Sequence, residues 1–120
     1  MHKSLINAID YIEMPSRNLA ETKRFFAALF GWSFEDYGPD YASFDDGRMT
    51  GGFFSSEKTA TAEAGAALIV FHQENLEESR QKVVDLGGEI TKEIFEFPGG
   101  GRFHFLEPGG GEFAIWSDKS

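Results

Sequence analysis

The sequence predicts an α+β protein made of two tandem βαβββ modules, and three observations carry that reading. Short runs of β-branched and aromatic residues alternate with two stretches of helical period, each opened by an asparagine and closed by a glycine. A shift of 57 residues, the step from Asn18 to Asn75, lays one half on the other without a gap. It places Leu19 on Leu76, Glu21 on Glu78, Thr22 on Ser79, Lys23 on Arg80, Leu29 on Leu86 and Gly31 on Gly88. The composition, 41% hydrophobic and 15% aromatic over 120 residues, supplies one ordinary core. A single domain over 1–120 is expected, with modules at about 5–56 and 66–118.

The elements follow in order. Leu5 to Met14 is apolar and β-branched and reads as a strand that Pro15 stops. Asn18 stands where an N-cap belongs, with Glu21 placed to reach back as in a capping box. Leu19, Lys23, Phe26, Leu29 and Phe30 form one stripe, and Gly31 ends the helix. Ser33–Glu35, Tyr41–Phe44 and Gly52–Phe54 read as short strands separated by the turn signals Gly38-Pro39-Asp40 and Asp45-Asp46-Gly47. Ser56 to Gly65 has neither period nor bulk and reads as the connection between halves. Ala66–His72, a helix capped by Asn75, and three strands at Glu89–Phe97, Arg102–Glu107 and Glu112–Ser117 complete the second module. The glycine runs at 99–101 and 109–111 lead into strands rather than a helix N-terminus, so they are turns and not phosphate cradles.

Charge and composition exclude several classes of function. With no cysteine there are no disulfides and no thiolate zinc sites. Twenty acidic against eleven basic residues, a formal charge of −9, repel phosphate backbones and anionic lipid, so neither nucleic acid nor a membrane is expected as a partner. No apolar run reaches the roughly 20 residues of a membrane span, and a cytoplasmic location is the expectation.

Four segments in this order resemble the vicinal oxygen chelate superfamily: Glu13-Met14-Pro15, Lys23-Arg24-Phe25-Phe26 through Phe30-Gly31-Trp32, Val83 through Gly88, and Phe105-Leu106-Glu107-Pro108-Gly109-Gly110-Gly111-Glu112-Phe113-Ala114-Ile115. That superfamily contains glyoxalase I, bleomycin- and fosfomycin-resistance proteins and extradiol dioxygenases. The chain is similar in particular to small proteins related to lactoylglutathione lyase. The resemblance implies curved mixed sheets around a cleft, commonly completed in a homodimer, and in many members a divalent ion held by four inward positions. Those positions map to Ile9, the stretch Gly52 to Phe54, Leu68 and Ala114, none of which offers a donor. No metal and no other cofactor is therefore expected.

Strand parity puts Tyr11 and Glu13 on one cleft face, Val70 and His72 on another, and Glu112, Ala114 and Trp116 on a third. Glu13, His72 and Glu112 are the candidate catalytic groups: two carboxylates able to divide acid and base work, and a histidine titrating near neutrality. Rim carboxylates and a half-exposed histidine would carry the same pattern. Tyr11, His104 and Trp116 are candidate ligand-binding residues, an aromatic wall with one imidazole, and the same aromatics serve equally for packing. Two functions remain open. One is a protein that binds a small aromatic or cationic molecule in a cleft between modules or subunits, the reading that the missing donors favour. The alternative is a glyoxalase-like lyase, isomerase or dioxygenase acting on a small oxygen-rich substrate, with acid–base chemistry by Glu13, His72 or Glu112 if no metal takes part.

Overall fold

Two asparagines start the two helices in the same way. In this computed structural model, which describes residues 2–119, the Asn18 side chain accepts the backbone N–H of Glu21 at 3.2 Å and Asn75 accepts that of Glu78 at 3.0 Å. The first helix, α1, spans Leu19–Phe30 and stops at Gly31, whose φ of 75° lies in the left-handed region. The second, α2, spans Leu76–Asp85; its left-handed residue is Gly87, at φ 96°, one position before the Gly88 that the repeat aligns with Gly31. The Glu21 carboxylate does not close a capping box, because Arg24 holds it one turn along the helix at 3.1 Å.

The first module runs β1 (Tyr11–Ser16), α1, β2 (Ser33–Asp36), β3 (Tyr41–Asp45) and β4 (Thr50–Ser55). The second runs β5 (Ile69–His72), α2, β6 (Glu89–Phe97), β7 (Gly100–Leu106) and β8 (Glu112–Ser117). Each module makes one four-stranded mixed sheet, ordered β1-β4-β3-β2 and β5-β8-β7-β6. The first and last strands of each are parallel and the other pairs antiparallel. This is the α+β architecture of paired βαβββ units that the sequence predicts.

β1 differs from expectation at both ends. It begins at Tyr11 because its partner β4 begins at Thr50, which is paired with Tyr11, and nothing in that sheet lies opposite residues 5–10. Those residues form a loop with Asn7 at φ 65° and leave Leu5, Ile6 and Ile9 exposed. At the other end the strand runs through Pro15 to Ser16. A proline fits there because β1 is an edge strand, hydrogen-bonded on one side only.

One helix serves both sheets. Phe26 on α1 lies 5.8 Å, centroid to centroid, from Phe53 of β4, and 5.2 and 6.0 Å from Phe113 of β8 and Phe71 of β5. Phe25 meets Phe105 of β7 at 5.9 Å. Trp32, stacked on Phe26 at 4.6 Å, reaches both Phe44 at 4.6 Å and Phe71 at 5.6 Å. The apolar faces of the two sheets are therefore joined through α1, and their opposite faces turn away from this shared core. The demand of two sheets also widens the buried stripe: Thr22 and Phe25 join Phe26 and Leu29 inside, whereas Lys23 turns out to Asp36 at 2.7 Å.

The modules are also joined by a buried polar cluster. Glu107 is 2% exposed, and its carboxylate accepts the Thr22 hydroxyl at 2.7 Å and the N–H groups of Gly109 and Gly111. Because the Thr22 proton goes to Glu107, Ser16 donates to Thr22 at 2.7 Å. The second glycine run thus does surround a carboxyl group, and it is the chain's own Glu107. Among the described residues no helix is long and apolar enough to cross a membrane.

Burial raises the Glu107 pKa above its ordinary 4.5, against the opposing pull of Thr22, the two glycine N–H groups and Arg17. The folded state then binds a proton that the unfolded state releases, so this group's contribution is full below pH 4.5 and is lost as pH rises through the native value. Asp45, Glu93 and Asp118, whose pKa values are lowered by His2, Arg80 and His72, act in the opposite sense and in a lower window. Urea denaturation across pH should show a falling component above pH 4.5 that Glu107→Gln removes; an unchanged slope in the variant would contradict the assignment. In the same assay Phe26→Ala should cost about 3–5 kcal/mol, since it removes a ring from a site packed on both sheets. A loss no larger than that of an exposed residue would show that α1 does not join them.

Candidate functional site

On the outward face of the first sheet, Tyr11 and Glu13 of β1 stand beside Tyr41 and Ser43 of β3, with Gly52 of β4 between them. The alternate residues Ile12, Met14, Phe44 and Phe53 belong to the core. Gly52 is the floor. A Cβ there would collide with the Tyr41 hydroxyl and lie 3.0 Å from that of Tyr11, so only glycine lets both phenols lie across the strand. The Tyr41 hydroxyl donates to Glu13 Oε2 at 2.8 Å and is 2.6 Å from the Tyr11 hydroxyl. Tyr41 has one proton and gives it to the carboxylate, so Tyr11 donates to Tyr41 and turns free lone pairs outward. Burial, followed by the hydrogen bonds to Tyr11 and Glu13, raises the Tyr41 pKa well above the ordinary 10.0 and keeps it a donor. Beside it, Glu35 raises the pKa of Tyr37 through a hydrogen bond.

The outward face of the second sheet has a different chemistry. Cross-strand register sets Lys92, His104 and Ala114 in one row and Phe95, Arg102 and Trp116 in the next. Ala114 is fully buried and forms the floor, and Phe113 and Ile115 point to the core as parity requires. His104 is 9% exposed, and burial together with Arg102 and Lys92 lowers its pKa against the opposing pull of Glu112. Glu112 is tied down: its carboxylate accepts the Ala62 N–H at 2.8 Å and the Thr91 hydroxyl at 3.0 Å, and its own N–H donates to Ala60 at 2.8 Å. It fastens the connection between modules to β8 and lies 4.0 Å from His104 Nδ1.

The predicted catalytic residues are only partly brought together. Glu13 and Glu112 share the wall of a cavity of about 180 Å³ at the junction of the modules, with Ala60, Ala66 and Ala67. His72 lies at the other end of its strand, on an exposed rim, 3.4 Å from Asp118 and with its ring 5.0 Å from Trp116. From Glu112 to Trp116, the neighbour of His72, the strand covers roughly 13 Å. Of the predicted ligand-binding residues, Tyr11 lies on the first face and His104 and Trp116 on the second. Sequence reasoning missed Tyr41, Gly52, Lys92, Phe95 and Arg102. Alternation with Phe103 and Phe105 could have put Arg102 and His104 on one face, but the contacts of Tyr41 depend on a strand register that short aromatic runs do not reveal.

The donor set does not fit a divalent ion. Ile9 precedes β1, and the repeat sets Tyr11 rather than Ile9 opposite Leu68, so the positions that the resemblance assigns to a metal hold a phenol, a glycine, apolar side chains and an alanine. Among the described residues no three His, Cys, Asp or Glu side chains converge.

A family model described as Glyoxalase/Bleomycin resistance protein/Dioxygenase superfamily matches residues 8–115. A search of curated protein sequences finds no match. Among solved structures, the chain is similar to a glyoxalase/bleomycin resistance protein/dioxygenase family enzyme from Burkholderia phytofirmans PsJN, with TM-score 0.75 and 17% identity over 90% of this chain and 96% of that one. It is also similar to the fosfomycin resistance protein FosX from Mesorhizobium loti (0.74, 14%, 94% and 93%) and to a lactoylglutathione lyase from Agrobacterium tumefaciens (0.68, 16%, 92% and 93%). At such identities these structures speak for the fold alone. The family match over nearly the whole chain, together with paired βαβββ units around a shared core, makes this protein a member of the glyoxalase/bleomycin resistance protein/dioxygenase superfamily.

Proposed function

We propose that the protein is a metal-independent small-molecule-binding member of its superfamily that works as a homodimer. The observation that carries the reading is the content of the inward positions. Tyr11, Gly52 and Ala114 stand where a divalent ion would need imidazole or carboxylate, and the Tyr11–Tyr41–Glu13 chain fills the space over Gly52. Phenols arranged in this way bind hydroxyl and amino groups and stack on flat molecules. The cavity that Glu13 and Glu112 share holds only about 180 Å³, and a second copy would enlarge the enclosure. Leu5, Ile9 and Val70 support the same arrangement: they are exposed and line one cavity of about 740 Å³ at the strand edges.

A second reading, acid–base catalysis without a metal, is favoured by the same hydrogen-bonded chain. Glu13 would take a proton from a substrate, while Tyr41, held protonated, fixes the position of the carboxylate.

Elemental analysis of protein purified without chelator should find less than stoichiometric metal, and a chelator should leave Tm unchanged. Bound metal whose removal lowers Tm would overturn the proposal. Sedimentation should give twice the mass of the chain, and a monomer would remove the dimeric part. Tyr41→Phe deletes two hydrogen bonds and should lower stability by about 1–2 kcal/mol, while removing from the phenolate absorbance titration the phenol that ionises at the highest pH. A variant that titrates like the wild type would show that Tyr41 is not held in this chain.

A further inference from the structure

We infer that the outward face of the second sheet binds an organic anion, a carboxylate carried on a flat apolar body, through Arg102, His104 and Lys92. The inference rests on the reading of the outward faces as ligand-binding surfaces and names the ligand class for one of them.

Two observations carry it independently. The first is a pair of orphaned nitrogens. Arg102 Nε and His104 Nε2 are both buried and neither has a hydrogen-bond partner. They sit two residues apart on β7 and so point to the same side. A buried polar nitrogen left without a partner costs about 1–3 kcal/mol; a ligand oxygen would relieve Arg102 Nε–H, and would relieve His104 Nε2 in the tautomer that carries its proton there. The second is charge pairing. Acidic residues outnumber basic ones 20 to 11, yet Lys92 and Arg102 take part in no ion pair among the described residues. Both lie against one ring instead, Lys92 Nζ at 4.3 Å and the Arg102 guanidinium at 5.4 Å from the centre of Phe95. The nearby carboxylate, Glu112, has both oxygens engaged by Ala62 and Thr91.

The geometry selects the ligand. A guanidinium presents its N–H groups as a planar fork that matches a carboxylate, and Lys92 adds a point charge. Phe95 and Trp116 flank Arg102 in the same row, over the Ala114 floor, and offer flat apolar walls to the rest of the molecule. Lys92 and Arg102 rest on Phe95 in the free protein, so the ligand enters by lifting these long side chains from the ring and taking its place among them.

The probes are benzoate, benzyl alcohol, benzylammonium and inorganic phosphate, titrated into isotopically labelled full-length protein and followed by NMR. Benzoate should bind and shift the Arg102 Nε–H signal, identified by its loss in Arg102→Met, and the other three should bind more weakly. Arg102→Met and Lys92→Met should each weaken benzoate about tenfold or more, with Tm showing that the variants are folded. If Lys92→Met fails to fold, the shift of the Arg102 Nε–H signal in the wild type decides; if Arg102→Met fails to fold, Arg102→Lys, which also lacks that signal, takes its place. Benzoate binding no better than benzyl alcohol, or phosphate binding equally well, would overturn the inference. If benzyl alcohol binds as well as benzoate and Tyr41→Phe abolishes both, the ligand-binding proposal stands and the anion inference falls. If benzoate binds at Arg102 only with a divalent ion present, the anion site stands and the metal-independent reading falls.

Discussion

The structure depends on one helix having to satisfy two sheets. An amphipathic helix normally buries a single stripe against one partner, but α1 carries adjacent phenylalanines, and Phe25 and Phe26 are both fully buried between the apolar faces of the two modules. Neither sheet could bury its apolar face with α2 alone, a helix whose buried residues are only Leu76, Ser79 and Val83. The same constraint decides where chemistry can occur. With their inner faces committed to α1 and Trp32, the sheets have only their outer faces and edges left for a ligand. The Glu107 cluster reinforces this docking with polar contacts that are satisfied only when the glycine turn, β1 and α1 meet.

Much of this was legible in the sequence, and the reasons are local. Asparagine caps, glycine stops and alternation of apolar residues act within a few positions of the chain, so the element order and the inward direction of Phe113 and Ile115 could be read directly. The start of β1 could not. Residues 5–9 look like a strand by composition, but strand formation there needs a partner, and β4 supplies none beyond Thr50. The candidate site was legible in half. Parity assigned Tyr11, Glu13 and Glu112 their faces but left the facing of His104 open, whereas Tyr41 and Gly52 act through a side chain lying across a neighbouring strand. That contact depends on the absence of a Cβ in one strand and the length of a side chain in another.

Net charge and the charge of a particular face are different quantities. The formal charge is −9, and much of the acid is spent within the fold. Glu77 and Glu78 occupy the first turn of α2, where the helix dipole favours them; Asp45 and Asp46 bind backbone N–H groups of their own turn; Glu107 is buried in the module junction. On the second outward face Lys92 and Arg102 stand beside Phe95 and Trp116, and the carboxylate there, Glu112, is engaged by Ala62 and Thr91. Composition counts charges, and the fold distributes them.

The two modules show how far a duplicated scaffold lets chemistry diverge. Cap, helix and sheet order are the same in both, because each of these is set by residues that face the core or end an element. The outward positions are under no such constraint. In the first module they have become phenols and a carboxylate arranged over a glycine, and in the second an arginine, an imidazole and a lysine arranged around an alanine and two aromatic rings. The outward side chains do not pack in the core that α1 shares with both sheets, so their chemistry differs between modules while the fold stays the same. Family membership therefore goes with the scaffold, and the outward residues set the chemistry of its two faces.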